Sequence, residues 1–327
     1  MSRVGVVGGG AWGTALAQVA ASAGNEVLLW AREPEVVEGI NTGGTNPIFL
    51  PGRQLHPAIR ATDQLSNLDG AEHWLVVTPA QHMRSVLESA PAGDRTLILC
   101  SKGIEERSGR LLHDVARELH PQSHVAVLSG PTFAHEVADG LPTAVTLAAD
   151  DEVSGERIRQ LLGQPTFRIY HTDDLTGAEI GGAVKNVLAI ACGVVDGRGL
   201  GQNARAALIA RGFAEMTRFG LARGARRETL AGLSGLGDLV LTCSSTNSRN
   251  FSLGKGIGEG RSAAELMSDR RTVAEGAFTA PVLARIAEQE GIDMPIVAAV
   301  AALLEGSATA AQALEQLLSR PPRPEAH

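Results

Sequence analysis

Residues 3–23 leave the chain few folds to choose from. An apolar run, Arg3-Val4-Gly5-Val6-Val7, leads directly into Gly8-Gly9-Gly10-Ala11-Trp12-Gly13-Thr14, and a helical pattern continues from Ala11 to Ala23. Glycines at 8, 10 and 13 make a G-x-G-x-x-G series between a strand and a helix, the context in which such a series binds a dinucleotide. Each glycine has its own task there. Gly8 permits the tight turn, Gly10 lets a pyrophosphate approach the backbone, and Gly13 lets helix and strand pack closely. The opening helix adds unpaired N–H groups and a partial positive charge for the phosphates.

The second strand, Glu26–Trp30, is followed by Ala31-Arg32-Glu33. An acidic residue at this place binds the ribose 2′-hydroxyl of NAD, whereas an arginine accommodates the 2′-phosphate of NADP. Arg32 therefore points to NADPH and Glu33 leaves NADH open. A solvated loop charge is the plain alternative for Arg32.

Further short β-rich runs follow at Ile59–Ala61, Trp74–Thr78, Thr96–Cys100, His124–Leu128, Thr143–Ala148 and Arg168–Tyr170, with helical patterns between most of them. Such alternation predicts βαβ units and a mostly parallel sheet. After residue 173 the pattern changes: Thr176–Val195, Ala204–Ala222, Ala274–Glu290 and Ile296–Leu303 read as helices with no convincing strand. The expected fold is α/β: an N-terminal Rossmann-type, doubly wound sheet over 1–172 and an all-α domain over 173–320. Residues 321–327, rich in proline, are expected to be a flexible tail.

Composition narrows the function. Twenty-nine basic against 36 acidic residues give a net charge of −7, the wrong sign for a nucleic-acid footprint. Three scattered cysteines suggest neither a zinc site nor a disulfide framework. The nine histidines are dispersed, and His135-Glu136 has no second histidine four residues on, so no metal is expected. No signal-peptide layout is visible, and apolar stretches such as Met294–Leu304 fall short of the roughly 20 residues that span a bilayer. A cytoplasmic protein without a membrane span is expected.

Lys185 is the first candidate for acid–base chemistry. Its helical neighbours Gly181, Gly182, Leu188 and Ala189 are small or apolar, which marks a buried helix. Burial disfavours an ammonium and brings its pKa toward the working pH. A lysine snorkelling to the surface is the alternative. Lys102 follows a predicted parallel strand, where open α/β sheets place ligands, although strand-end lysines are also often merely solvated. Asp238, in the glycine-rich loop Ser234-Gly235-Leu236-Gly237-Asp238, is either a turn former or a partner of Lys185. In the second case its charge raises the lysine's pKa against desolvation, and the sequence leaves the winner open. Ser248-Arg249-Asn250 is a candidate phosphate clamp: a guanidinium grips phosphate bidentately and Asn250 opens a predicted helix.

Several strings occur in a fixed order: Asn46-Pro47-Ile48-Phe49-Leu50-Pro51-Gly52, Ser101-Lys102-Gly103-Ile104-Glu105, Ser129-Gly130-Pro131-Thr132-Phe133-Ala134, Val184-Lys185-Asn186-Val187, Gly235-Leu236-Gly237-Asp238-Leu239, Ser248-Arg249-Asn250 and Glu275-Gly276. Together they resemble the bacterial NAD(P)-dependent glycerol-3-phosphate dehydrogenases, over roughly residues 3–305. The resemblance implies reversible reduction of dihydroxyacetone phosphate to sn-glycerol 3-phosphate by NADPH or NADH, feeding glycerophospholipid synthesis, in a homodimer. It implies Lys185 as proton donor and acceptor, with Lys102, Asp238 and Asn186 beside it. Cofactor contacts are implied for Gly8, Gly10, Ala11, Trp12, Gly13, Arg32, Lys102, Ala134, Arg249, Val273 and Glu275. Substrate contacts are implied for Lys102, Gly130, Thr132, Lys185, Asp238, Ser248, Arg249 and Asn250. The chain departs from the family pattern with Ala11 in place of the frequent serine and Phe49 in place of tyrosine.

Two other readings compete. A β-hydroxyacid dehydrogenase also carries Lys and Asn on the first helix of an α-helical second domain, but lacks the Asp238 loop coupled to Ser248-Arg249-Asn250. A non-catalytic NADPH sensor would be expected to lose Lys185, Asp238 or Arg249, and all three are present.

Overall fold

The computed structural model describes residues 2–268 and 274–321. Eight strands, β1 (Arg3–Val7), β2 (Glu26–Trp30), β3 (Ile59–Thr62), β4 (His73–Val76), β5 (Thr96–Leu99), β6 (His124–Ser129), β7 (Thr143–Ala149) and β8 (Phe167–Thr172), form one sheet. Their order is β3-β2-β1-β4-β5-β6-β7-β8. Pairing is parallel from β3 to β6, β7 runs antiparallel to β6, and β8 is parallel to β7. At the end of β1, Val7 pairs with Trp30 on one side and Val76 on the other. The chain order reverses here, and a crevice opens beyond the strand ends, where doubly wound sheets take ligands.

Period-two side-chain alternation builds the two cores of this half. Val4, Val6, Leu75, Ile98 and Leu128 pack on one face with the helix Ala11–Ser22. Val7, Trp74, Val76, Leu97 and Leu99 pack on the other with the helices Ala80–Glu88 and Leu112–Leu119. A parallel sheet covered on both faces needs such apolar strands.

The remaining chain is helical, and one helix organises it. Leu175–Gly197 is buried along nearly its whole length. Gly201–Ala222, Asp238–Cys243, Arg249–Gly258, Glu275–Gln289 and Pro295–Glu305 all pack on it. Asp174 caps it by accepting from the Gly177 amide at 2.8 Å, and its other oxygen accepts from the Arg226 amide at 2.7 Å. Glycines let its backbone touch that of Arg249–Gly258. A Cβ on Gly193 would lie 2.0 Å from the Phe251 carbonyl oxygen, and one on Gly254 1.9 Å from that of Ile190. By length and composition this helix is apolar enough to cross a bilayer, yet its apolar window is 100% buried inside the protein. Glu179, Lys185 and Asn186 interrupt it, so no unbroken apolar run within it is as long as Met294–Leu304.

Candidate active site

The turn after β1 has the shape its glycines predict. Gly8 has φ +126°, and a Cβ there would sit 3.0 Å from the Val77 carbonyl. A Cβ on Gly13 would lie 1.9 Å from the Gly8 oxygen, whereas one on Gly10 would meet nothing within 4 Å. Contact at 8 and 13 and open space at 10 are what a pyrophosphate cradle requires. No side chain caps the Ala11–Ser22 helix, so its first N–H groups, Ala11 and Trp12 among them, are available to an anion. Gly9, outside the motif, is equally constrained, since its Cβ would fall 2.5 Å from that of Ala31. Arg32 stands just past β2, exposed, with Glu33 at 3.7 Å.

Polar atoms around the crevice also fit a dinucleotide. Trp12 Nε1, Thr78 Oγ1, Ser129 Oγ and Glu275 Oε2 are buried without a hydrogen-bond partner among the described residues. Such atoms are costly unless satisfied. They belong to the glycine-rich turn, to the ends of β4 and β6, and to the helix Glu275–Gln289.

The second cluster is made of side chains from three distant segments. Lys102, beyond β5, donates to Asp238 Oδ2 at 2.6 Å and to the Gly130 carbonyl at 3.1 Å. Lys185, from the central helix, donates to Asp238 Oδ1 at 2.6 Å and to Thr242 Oγ1 at 2.9 Å. One fully buried carboxylate thus lies between two ammonium groups. Gly182 makes room for this: a Cβ there would be 3.3 Å from Lys102 Cγ and 3.1 Å from Ser129 Oγ. Burial lowers the Lys185 pKa to about 8, with Asp238 pulling it up and Lys102 pushing it down. Desolvation and the second ammonium therefore outweigh the carboxylate, a balance the sequence left open.

Asp238 is not in a loop. Leu233–Gly237 is a π-helical turn that runs into the helix Asp238–Cys243. Its ring closes from the Gly237 amide to the Gly232 carbonyl at 3.0 Å. Gly235 permits this, because a Cβ there would lie 1.9 Å from the Leu230 oxygen. Such wide turns recur at functional sites. The helical geometry brings in a residue absent from the sequence expectations. Thr242, four positions on and hence on the same helix face, touches both Lys185 and Asp238.

The Ser248-Arg249-Asn250 segment adjoins the cluster. Ser248 caps the helix Arg249–Gly258 by accepting from the Phe251 amide at 3.2 Å. Asn250 donates to Asn186 Oδ1 at 3.0 Å and accepts from the Gly276 amide at 2.9 Å. Ser248 and Asn250 are thus engaged in structural bonds, and Arg249, between them, stays exposed. Among the described residues Arg249 has no hydrogen-bond or ion-pair partner, although its charge acts on Glu275. Burial pushes the Glu275 carboxyl up to about 7, against the opposing pull of an Ala80 backbone hydrogen bond and of Arg249. Thr132 Oγ1 donates to the Gly130 oxygen at 3.3 Å, and Ala134 opens the short helix Ala134–Ala138. Val273 lies outside the described residues. Among the described residues no group of three or more His, Cys, Asp or Glu could hold a metal ion.

A glycine-rich dinucleotide turn where the strand order reverses, together with a buried lysine pair sharing one carboxylate beyond β5, is the construction of a nicotinamide-dependent oxidoreductase. Comparison with known proteins specifies it. Residues 3–154 match the N-terminal part, and residues 174–315 the C-terminal part, of the NAD-dependent glycerol-3-phosphate dehydrogenases. The chain is 64% identical to a glycerol-3-phosphate dehydrogenase [NAD(P)+] of Erythrobacter litoralis, covering 99% of this chain and 98% of that protein. It is 65% identical to one of Novosphingobium aromaticivorans, covering 98% and 97%. A crystal structure of glycerol-3-phosphate dehydrogenase from Coxiella burnetii superposes with TM-score 0.93 at 38% identity, covering 98% of this chain and 99% of that one. The chain belongs to the NAD-dependent glycerol-3-phosphate dehydrogenase family, and its cofactor is NAD(P)H.

Proposed function

We propose that this protein interconverts dihydroxyacetone phosphate and sn-glycerol 3-phosphate, with Lys185 as the group that gives and takes the proton. The observation that carries the reading is the buried Asp238 carboxylate held 2.6 Å from both Lys185 and Lys102. When bound, NAD(P)H supplies the hydride, and the atoms that fit it are the glycine-rich turn, Ala134, Glu275 and, for a 2′-phosphate, Arg32. Lys185 in its ammonium form hands a proton to the ketone oxygen as negative charge grows there. A pKa of about 8 suits an exchange in either direction near neutral pH. Asp238 and Thr242 hold that ammonium in place, and Lys102 keeps a second positive charge beside the developing alkoxide. Asn186 is oriented by Asn250 toward the same region. Arg249 clamps the substrate phosphate bidentately, assisted by the N-terminus of its helix.

In the same reading residues 1–172 and 173–320 are the cofactor and substrate domains. The enzyme is a cytoplasmic homodimer that supplies glycerol 3-phosphate for glycerophospholipids. The family resemblance supports these points. The test is loss of reduced-nicotinamide absorbance on adding dihydroxyacetone phosphate to enzyme with NADPH or NADH. Turnover of 3-hydroxy acids without turnover of dihydroxyacetone phosphate would overturn the assignment, as would tight NADPH binding with no ketose phosphate consumed.

A further inference from the structure

The string Asn46-Pro47-Ile48-Phe49-Leu50-Pro51-Gly52 has no place in the chemistry above, yet its first residue is among the most tightly held in the molecule. Asn46 is fully buried. Its Oδ1 accepts from the Ile48 and Phe49 amides at 3.3 and 3.0 Å. Its Nδ2 donates to the Gly9 carbonyl at 2.8 Å and to Thr14 Oγ1 at 2.8 Å. Thr14, also fully buried, in turn donates to the Gly10 carbonyl at 2.9 Å. At the far end of the segment Arg53 pairs with both oxygens of Asp139 at 2.7 and 2.8 Å.

These bonds fall on the peptide units where they matter. The Gly9–Gly10 unit lies between two glycines, so its plane has little steric reason to keep one orientation. All peptide bonds described are trans, and in a trans unit the C=O and N–H point in opposite directions. Fixing the Gly9 oxygen inward therefore fixes the Gly10 N–H outward. The Gly10 oxygen accepts from the Thr14 amide at 2.9 Å, the first bond of the helix, and the Thr14 hydroxyl reinforces it, which fixes the Ala11 N–H in the same way. If either unit turned over, a carbonyl oxygen would face the pyrophosphate and repel it.

We propose that Asn46 and Thr14 are positioning residues for the cofactor. They act as a two-step hydrogen-bond relay that holds the carbonyls of the glycine-rich turn away from the phosphates. The proposal rests on the dinucleotide reading of that turn. It assigns the 46–52 segment to cofactor affinity rather than to chemistry on the substrate.

The test is NADPH titration by quenching of tryptophan fluorescence, with kcat and the KM for dihydroxyacetone phosphate at saturating cofactor, on four proteins. Thr14→Val keeps the shape and removes the hydroxyl. Thr14→Ser restores it. Asn46→Asp keeps the acceptor and removes the donor. For Thr14→Val and Asn46→Asp the Kd for NADPH is expected to rise about three- to tenfold, the size of a lost neutral hydrogen bond. Thr14→Ser should stay within about twofold of the original protein, and the substrate KM and kcat should move little in any variant. Wild-type affinity in Thr14→Val, or an equal rise in Thr14→Ser, overturns the proposal. If Asn46→Asp does not fold, the two Thr14 variants decide. Failure of the unaltered protein to bind NADPH would instead overturn the underlying reading.

Discussion

The two sides of the crevice do their work with different parts of the chain. In the proposed site the binding groups on the sheet side are backbone: N–H groups at the start of Ala11–Ser22, with glycines allowing close approach. On the helical side they are side chains: Lys185 from the central helix, and Asp238, Thr242 and Arg249 from two shorter helices packed on it. A backbone site is written in consecutive residues, because one turn contains all of it. A side-chain site is written wherever the fold brings chain together. Lys102 and Asp238 are 136 positions apart, and Lys185 and Asp238 are 53 apart.

Substitutions should divide along the same line. The largest effect belongs to Lys185→Ala. Steady-state assays should show kcat lower by about two to four orders of magnitude, the usual contribution of a proton-transfer group, with NADPH affinity kept. Lys102 still compensates the buried Asp238 in that variant. Since ketone reduction needs the ammonium, its rate in the unaltered protein should fall as pH rises through about 8, and alcohol oxidation should rise over the same range. A kcat near that of the unaltered enzyme would remove Lys185 from the chemistry.

Arg249→Ala comes next. Loss of a charge-assisted clamp should raise the KM for dihydroxyacetone phosphate by roughly ten- to a hundredfold, and an unchanged KM would move the phosphate elsewhere. Gly13→Ala attacks the other side. A Cβ 1.9 Å from the Gly8 oxygen forces helix and turn apart, at a cost of about 1–3 kcal/mol. Thermal unfolding should shift accordingly, and cofactor affinity should fall together with it. The smallest effect is expected for exposed Arg32. Its replacement by Ala should weaken NADPH by about fivefold, as expected for a solvent-screened pair of up to ~1 kcal/mol, and leave NADH nearly unchanged. Equal losses for both cofactors would break the assignment of Arg32 to a 2′-phosphate.

Much of this was legible from residues alone, for reasons that differ by region. The strands announced themselves by alternation, and the dinucleotide turn by glycines at fixed spacing. Lys185 stood out because an ammonium among Gly181, Gly182, Leu188 and Ala189 is out of place unless it has a task. Thr242 was hidden because Asp238 was read as a loop residue. The π-helical turn that carries Asp238 into a helix lies backbone to backbone against Gly181 of the central helix, where a Cβ would fall 2.8 Å from Gly235 Cα, a tertiary contact. Asn46 was hidden more deeply, since its partners at Gly9 and Thr14 are more than thirty positions away. The net direction of the Lys185 pKa was also beyond reach, because burial is weighed there against Asp238 and a second lysine, both from other segments.

The central helix has a consequence for how the protein is made. Its 23 residues are synthesised before any of the C-terminal helices that cover them. The last to pack on it, Pro295–Glu305, ends about a hundred residues later, a wait of roughly 5–20 s at ordinary translation rates. During that interval a rod as greasy as a bilayer span is only partly covered. Chains halted between residues 200 and 290 should therefore be the most prone to aggregate and the most dependent on chaperones.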